Sequence, residues 1–303
     1  MIFRARWLLV AAVAACAALV AGLGVAPAAP AAATKRFRGP DRVAVLVLEN
    51  RSYGEVIGNM NAPYLNGLAR RYALATRYYA IAHPSLPNYI ALTGGSTFEI
   101  EGNCNRCDTS SPNIVGQLDA VGLSWKAYFE DLTSNGRPGT PTALYNPHYN
   151  PFVYYEAVRS TVLGRSRIVD FDELRHDLGQ GRLPRFSWIA PGVRHDGHNS
   201  SLRAADRYAA SLVPKVLHAL GPHGVLYVTW DEGARSDHSG VRGARGGGHV
   251  ALIAAGGAAR RGATTPVWAN HYALLRTIET GFGLRLLGRA GAATTPVLSG
   301  LLR

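Results

Sequence analysis

The 303-residue chain is 47% hydrophobic and 17% charged, a balance that fits a globular protein and excludes a disordered or collagen-like one. Its formal net charge is +12, carried almost wholly by arginine because Lys35, Lys126 and Lys215 are the only lysines. Such a field draws anionic partners, but no RNA-recognition signature, zinc-finger spacing or basic helix with interleaved aromatics occurs, so a sequence-read nucleic acid is not expected.

The first residues have the make-up of an export signal. Arg4 and Arg6 precede an apolar run from Trp7 to Val25, and small residues around Ala31 and Ala33 offer a cleavage site. Residues 1–33 are therefore expected to be a signal peptide, 34–41 a short linker and 42–303 a single domain, secreted or otherwise extracytoplasmic. The alternative is an uncleaved membrane anchor, since the apolar run is about long enough to span a bilayer. Cys16 stands in an acylation-like context, but the apolar run continues well past it.

From there short apolar runs alternate with amphipathic stretches. Strands are predicted at Val43 to Leu48, Thr76 to Ala82, Ser124 to Phe129, Phe186 to Ala190, Val225 to Trp230 and Val250 to Ala255. Helices are predicted at Ala62 to Tyr72, Asn88 to Thr93, Asn113 to Ala120, Ala204 to Ala219 and His271 to Gly281. Near-continuous hydrophobicity marks strands buried on both faces, and the alternation predicts an α/β three-layer sandwich with a mostly parallel central sheet. Ser134 to Leu144 and Gly233 to Gly248 read as loops. An exported context favours a disulfide between Cys104 and Cys107, read as a local loop staple with a redox role as the alternative, and a lone C-x-x-C cannot supply four zinc ligands.

Polar clusters punctuate the predicted strand ends. Glu49-Asn50 closes the first strand, Asp196-Gly197-His198 follows the Phe186 run, and Asp231-Glu232 closes the Val225 run. Ser85 lies in His83-Pro84-Ser85-Leu86-Pro87-Asn88-Tyr89, between a predicted strand and a helix N-terminus, where free N–H groups favour an anion. Each cluster alone is an ordinary turn or cap, and an N-cap serine before an early-helix proline is common. Together they fall on the edge where open α/β sheets bind ligands. Their carboxylate, amide and imidazole groups suit one or two divalent metal ions.

Val47-Leu48-Glu49-Asn50-Arg51-Ser52-Tyr53 and His83 to Tyr89 resemble the first-strand and nucleophile motifs of a bacterial phosphoesterase family. That family holds secreted acid phosphatases and phospholipase C-type enzymes and belongs to the alkaline phosphatase superfamily. Tyr128 to Leu132, Pro191 to Asn199, Thr229 to Glu232 and His271 to Glu279 resemble further segments, so the likeness spans about Val43 to Leu287. Ser85-Leu86-Pro87-Asn88 is also similar to the nucleophile segment of nucleotide pyrophosphatases, where threonine stands in place of serine.

The resemblance implies an alkaline-phosphatase-like fold and a metal-dependent phosphoric ester hydrolase, expected to be an acid phosphatase acting on monoesters through a phosphoserine at Ser85. It implies that Asn88 holds a phosphate oxygen and that Glu49, Asn50, Ser85, Asp231 and Glu232 bind metal. Asp196 and His198 would complete that shell or hold a second ion. His198, His249 and His271 are candidates for metal binding, phosphate contact or leaving-group protonation. The chain departs from the family pattern at Gly192, Tyr149, Asn199 and Cys107.

The expected partner is a small phosphate ester or phospholipid headgroup, with cell-envelope association through the leader or the basic surface. The alternatives are a phospholipase C-like phosphodiesterase and, outside enzymes, an arginine-rich polyanion-binding surface protein. A serine esterase is disfavoured because no Gly-x-Ser-x-Gly occurs.

Overall fold

A computed structural model of the chain describes residues 39–133 and 140–303. The expected signal peptide lies outside the described residues, as does most of the linker. The described residues form ten strands: β1 (Arg42–Leu48), β2 (Ala73–Ala75), β3 (Tyr78–Tyr79), β4 (Trp125–Phe129), β5 (Ile168–Asp170), β6 (Phe186–Ala190), β7 (Gly224–Trp230), β8 (Leu252–Ala255), β9 (Ala263–Thr265) and β10 (Ala269–Asn270). Eight form one sheet in the order β5-β4-β6-β1-β7-β8-β2-β9, and β10 pairs with β3 in a separate two-stranded ribbon.

The sheet is mostly parallel, as the buried apolar runs imply. β1 pairs in parallel with β6 on one side and β7 on the other, and β4 pairs in parallel with β5 and β6. β8 departs from the parallel reading and runs antiparallel to both β7 and β2. The reason is topological: a parallel return needs a crossover element, and the β7–β8 connection holds only a three-residue 3-10 turn at Val241–Gly243.

Alternation along the strands sends successive side chains to opposite layers. On β4, Lys126 Nζ donates to Asp177 at 2.7 Å and Tyr128 Oη to the same carboxylate at 2.6 Å, fixing the Phe171–Gly179 helix on one face. That helix escaped the sequence reading. Trp125 points the other way and packs 5.7 Å from the Phe152 ring. On the first face the Leu202–Leu220 helix lies against β1 and β7, capped by Ser201, and the Pro63–Arg71 helix packs on it. Buried Asp206 accepts from Leu65 N at 2.8 Å and Tyr64 N at 3.2 Å, so one helix caps the next. On the second face the Ser85–Gly94 and His271–Phe282 helices pack together, and Tyr89 meets Trp188 of β6. Among the described residues no helix is long and apolar enough to cross a membrane.

The expected strand Thr76 to Ala82 is not a strand of the main sheet. β2 ends at Ala75, Arg77 leaves to lie over the Trp268 ring at 4.9 Å, and only Tyr78–Tyr79 pairs, with β10. The predicted run thus begins just after β2 and holds only the short strand β3, which belongs to the separate ribbon.

Glu279 is fully buried in the His271–Phe282 helix, accepts from Leu287 N at 3.1 Å through Oε1, and leaves Oε2 without a partner. Burial pushes its carboxyl up to about 8. The folded state therefore holds a proton that the unfolded chain releases above about 4.5, and stability falls as pH rises from there to about 8. His271, lowered to about 4 by burial, has the opposite slope, confined to the range below its ordinary 6.5. Glu279→Gln is expected to gain stability relative to wild type between about pH 6.5 and 8, read from urea midpoints at each end. A constant difference would show that Glu279 does not carry the slope.

Candidate active site

The parallel register of β6, β1 and β7 brings three strand ends together. Glu49 N donates to Asp196 O at 2.8 Å, Asp231 N to Leu48 O at 3.0 Å, and Asn50 N to Asp231 Oδ1 at 3.0 Å. Asn50 takes a positive φ of 50°, a left-handed conformation that asparagine tolerates better than most residues. Ser85 opens its helix from the opposite wall, 5% exposed. Its Oγ lies 3.2 Å from Glu49 Oε2, 3.2 Å from Glu232 Oε1 and 3.4 Å from Asn50 Oδ1. Asn50 Nδ2 donates to Glu232 Oε1 at 3.0 Å.

This is an electrostatically expensive arrangement. Burial, then the neighbouring Asp231, holds the Glu49 carboxyl well above its usual range. Burial, then Glu232, does the same to Asp231. Asp231 Oδ2 is buried with no hydrogen-bond partner. An orphaned carboxylate oxygen among carboxylate, amide and hydroxyl oxygens is the donor set of a hard divalent cation. Among the described residues no three His, Cys, Asp or Glu side chains already stand together as a metal centre; the convergence here is mixed, with Asn50 and Ser85 completing it.

The site opens into a cleft of about 630 Å³ lined by Ser85, Glu49, Asn50 and Glu232 below and by Asn103, Tyr149, His198, Asn199 and Arg235 above. His198 is exposed, and only its backbone is engaged, with N donating to Asp196 Oδ1 at 2.9 Å.

Four expected site residues have other tasks. Asn88, the expected phosphate holder, is fully buried and spent on the Ile81–Pro84 turn. Its Oδ1 accepts from Ile81 N and Ala82 N at 2.8 and 3.1 Å, while Nδ2 donates to Ala82 O and Pro84 O at 2.7 and 3.1 Å. Asp196 uses Oδ1 on the N–H groups of His198 and Asn199 and Oδ2 on Asn199 Nδ2 and Tyr149 Oη, which leaves it organising its own loop rather than facing a cation. His249 lies outside the cleft, its ring stacked on Tyr53 and Tyr79 at 4.4 and 4.9 Å with Nε2 on Thr76 O. His271 is buried beneath the site, donating Nε2–H to Asp231 O at 2.5 Å and accepting from Tyr78 Oη at Nδ1, so neither nitrogen reaches a substrate.

Three further residues shape the site, two of them directly on its carboxylates. Tyr89 Oη donates to Glu49 Oε1; it stands four residues after Ser85 on one helix face, a spacing visible in the sequence. His83 touches Glu232 Oε2 through Nδ1 and Asp237 O through Nε2 at 2.9 Å. The Glu232 hydrogen bond raises the pKa of His83, whose two ring nitrogens each face an oxygen acceptor. Asn103 Oδ1 accepts from Leu86 N at 3.0 Å, so a loop residue beside the Cys104–Cys107 disulfide already occupies one helix N-terminal donor. The last two contacts are long-range, and local pattern carries no sign of them.

The fold is an alkaline-phosphatase-like α/β sandwich. A superfamily member from Vibrio parahaemolyticus superposes with a TM-score of 0.59 at 12% identity, covering 88% of this chain and 71% of that one. A lipoteichoic acid synthase from Listeria monocytogenes gives 0.56 at 10%, covering 88% and 77%. The phosphoesterase family profile matches residues 59–285. The chain belongs to the phosphoesterase family and is a phosphoric ester hydrolase. It is 30% identical over 250 residues to a phosphatidylinositol-3-phosphatase of Mycobacterium tuberculosis, covering 82% of this chain and 79% of the relative. It is also 28% identical to a phosphate-repressible acid phosphatase of Penicillium chrysogenum and 26% identical to an acid phosphatase of Aspergillus fumigatus. The matches cover 82% and 80% of this chain, but only 60% and 55% of the two fungal enzymes.

Asn88→Ala should cost about 2–3 kcal/mol of stability, because it strands the Ile81 and Ala82 N–H groups. Urea denaturation measures this. An unchanged midpoint with a raised KM would instead mark a phosphate contact.

Proposed function

We propose that the protein is an exported, metal-dependent acid phosphatase that cleaves phosphomonoesters through a phosphoserine at Ser85. The observation that carries this is Ser85 Oγ seated within 3.2–3.4 Å of Glu49, Asn50 and Glu232, next to the unpartnered Asp231 Oδ2. Glu49, Asn50, Asp231 and Glu232, with Ser85, would hold one divalent cation, which supplies the charge to ionise the serine and to neutralise a phosphate oxygen. The engaged Asp196 carboxylate argues against a second ion.

Ser85 Oγ, its proton released to solvent in the cleft, attacks phosphorus in line as the P–O bond to the alcohol breaks; the same solvent later returns a proton to His198. His198, exposed at the cleft and free at its ring, gives the leaving oxygen its proton. Water then attacks phosphorus, releasing phosphate and returning the hydroxyl to Ser85. Tyr89 and His83 hold Glu49 and Glu232 in place throughout. The names of the relatives support an acid phosphatase, and that of the mycobacterial relative supports a phospholipid headgroup as one substrate. The leader sequence and the Cys104–Cys107 disulfide support an oxidising, extracytoplasmic location, with envelope contact through the leader or basic surface.

Hydrolysis of p-nitrophenyl phosphate by metal-stripped, metal-restored and Ser85→Ala protein tests this. Turnover is expected to vanish on stripping, return with a divalent ion, and fall about a thousandfold or more in Ser85→Ala. Retained turnover in Ser85→Ala would remove the phosphoserine pathway.

A further inference from the structure

Most charged groups around the cleft are already committed. Arg51 donates Nε–H to Gly197 O at 2.8 Å and pairs with Glu55, and Arg194 pairs with Asp131. His83 is tied to Glu232. Arg235 is different. It is exposed, it lines the same cleft as Ser85, and no carboxylate, carbonyl or aromatic ring among the described residues engages its guanidinium. It is also the only arginine or lysine among the described residues lining that cleft.

Its backbone is held firmly. Gly233 N donates to Gly247 O at 2.8 Å, Ala234 N to Ser52 Oγ at 3.0 Å and Asp237 N to Ala234 O at 2.7 Å. A long, unpaired cation thus rises from a fixed base three residues beyond Glu232. Ordering such a side chain costs entropy, and that cost is recovered when a planar guanidinium meets a phosphate in a bidentate pair.

The floor of the cleft is built of carboxylates, amides and the Ser85 hydroxyl. A phosphomonoester dianion carries one more negative charge than a phosphodiester monoanion, and its terminal oxygens are free to meet a planar guanidinium. Arg235 is the arginine lining the cleft that can meet them.

We propose that Arg235 is the specificity-determining residue of the site, binding the second charge of a terminal phosphoryl group and so selecting phosphomonoesters over phosphodiesters. This rests on the phosphatase reading above.

The test compares wild type, Arg235→Ala and Arg235→Lys on p-nitrophenyl phosphate and bis-p-nitrophenyl phosphate, with calorimetric binding of inorganic phosphate and of dimethyl phosphate alongside. Arg235→Ala should lower kcat/KM for the monoester about 10- to 100-fold and for the diester less than about threefold. Phosphate affinity should fall by a similar factor, dimethyl phosphate affinity should hold, and lysine should restore part of each loss. Because Arg235 is exposed, the urea midpoint should not move. Equal losses on both esters, no loss on either, or a wild-type preference for the diester would each overturn the assignment. If wild type cleaves neither ester, the phosphatase reading fails, and phosphate binding still decides the role of Arg235: equal affinity in wild type and Arg235→Ala overturns it.

Discussion

Burial of Glu49, Asp231 and Glu232 against one another is the constraint that the rest of this structure accommodates. Taking carboxylates out of water is costly, and setting them side by side adds repulsion. Both effects hold Glu49 and Asp231 well above their normal range. Such a cluster persists only where hydrogen bonds and an opposing charge offset it. Tyr89, Asn50, His83 and the Asn50 backbone supply part of that compensation, and Asp231 Oδ2 remains unmet.

The architecture supplies the geometry. Parallel pairing of β1 with β6 and β7 aligns three C-terminal strand ends at one edge, and cross-links such as Glu49 N to Asp196 O fix their relative heights. The helix bearing Ser85 approaches from the other wall, its entry turn locked by the four hydrogen bonds of Asn88. His271 supports the same site from below by donating to the Asp231 carbonyl. These buried groups fix Ser85 and the carboxylates relative to one another, and the exposed His198 and Arg235 line the cleft above them.

Much of this was legible in the sequence because hydrophobic burial is a local signal. The predicted run at Phe186 to Ala190 matches β6 residue for residue, and those at Val43 to Leu48 and Val225 to Trp230 fall one residue short of β1 and β7. The polar pairs after them stand out because charge seldom follows an apolar run without reason. The Thr76 to Ala82 run failed because apolar character does not say where a strand ends or which sheet it joins: β2 stops at Ala75, before the run, and only Tyr78–Tyr79 within it is a strand, in the separate ribbon. The antiparallel β8 depends on what the β7–β8 connection lacks, a feature of topology rather than of residue pattern. In the site, residue type identified the carboxylates. The task of each histidine and of Asn88 depended on partners far along the chain, as with His83 and Asp237, 154 residues apart.

The most direct measurement is calorimetric titration of a divalent cation into metal-stripped protein, followed by thermal unfolding of the loaded and stripped forms. The account predicts one ion per chain, a higher unfolding temperature when loaded, and loss of both effects in Asp231→Asn. Protein that binds no ion, or binds it equally well in Asp231→Asn, would contradict the claim that this buried carboxylate cluster is built around a cation.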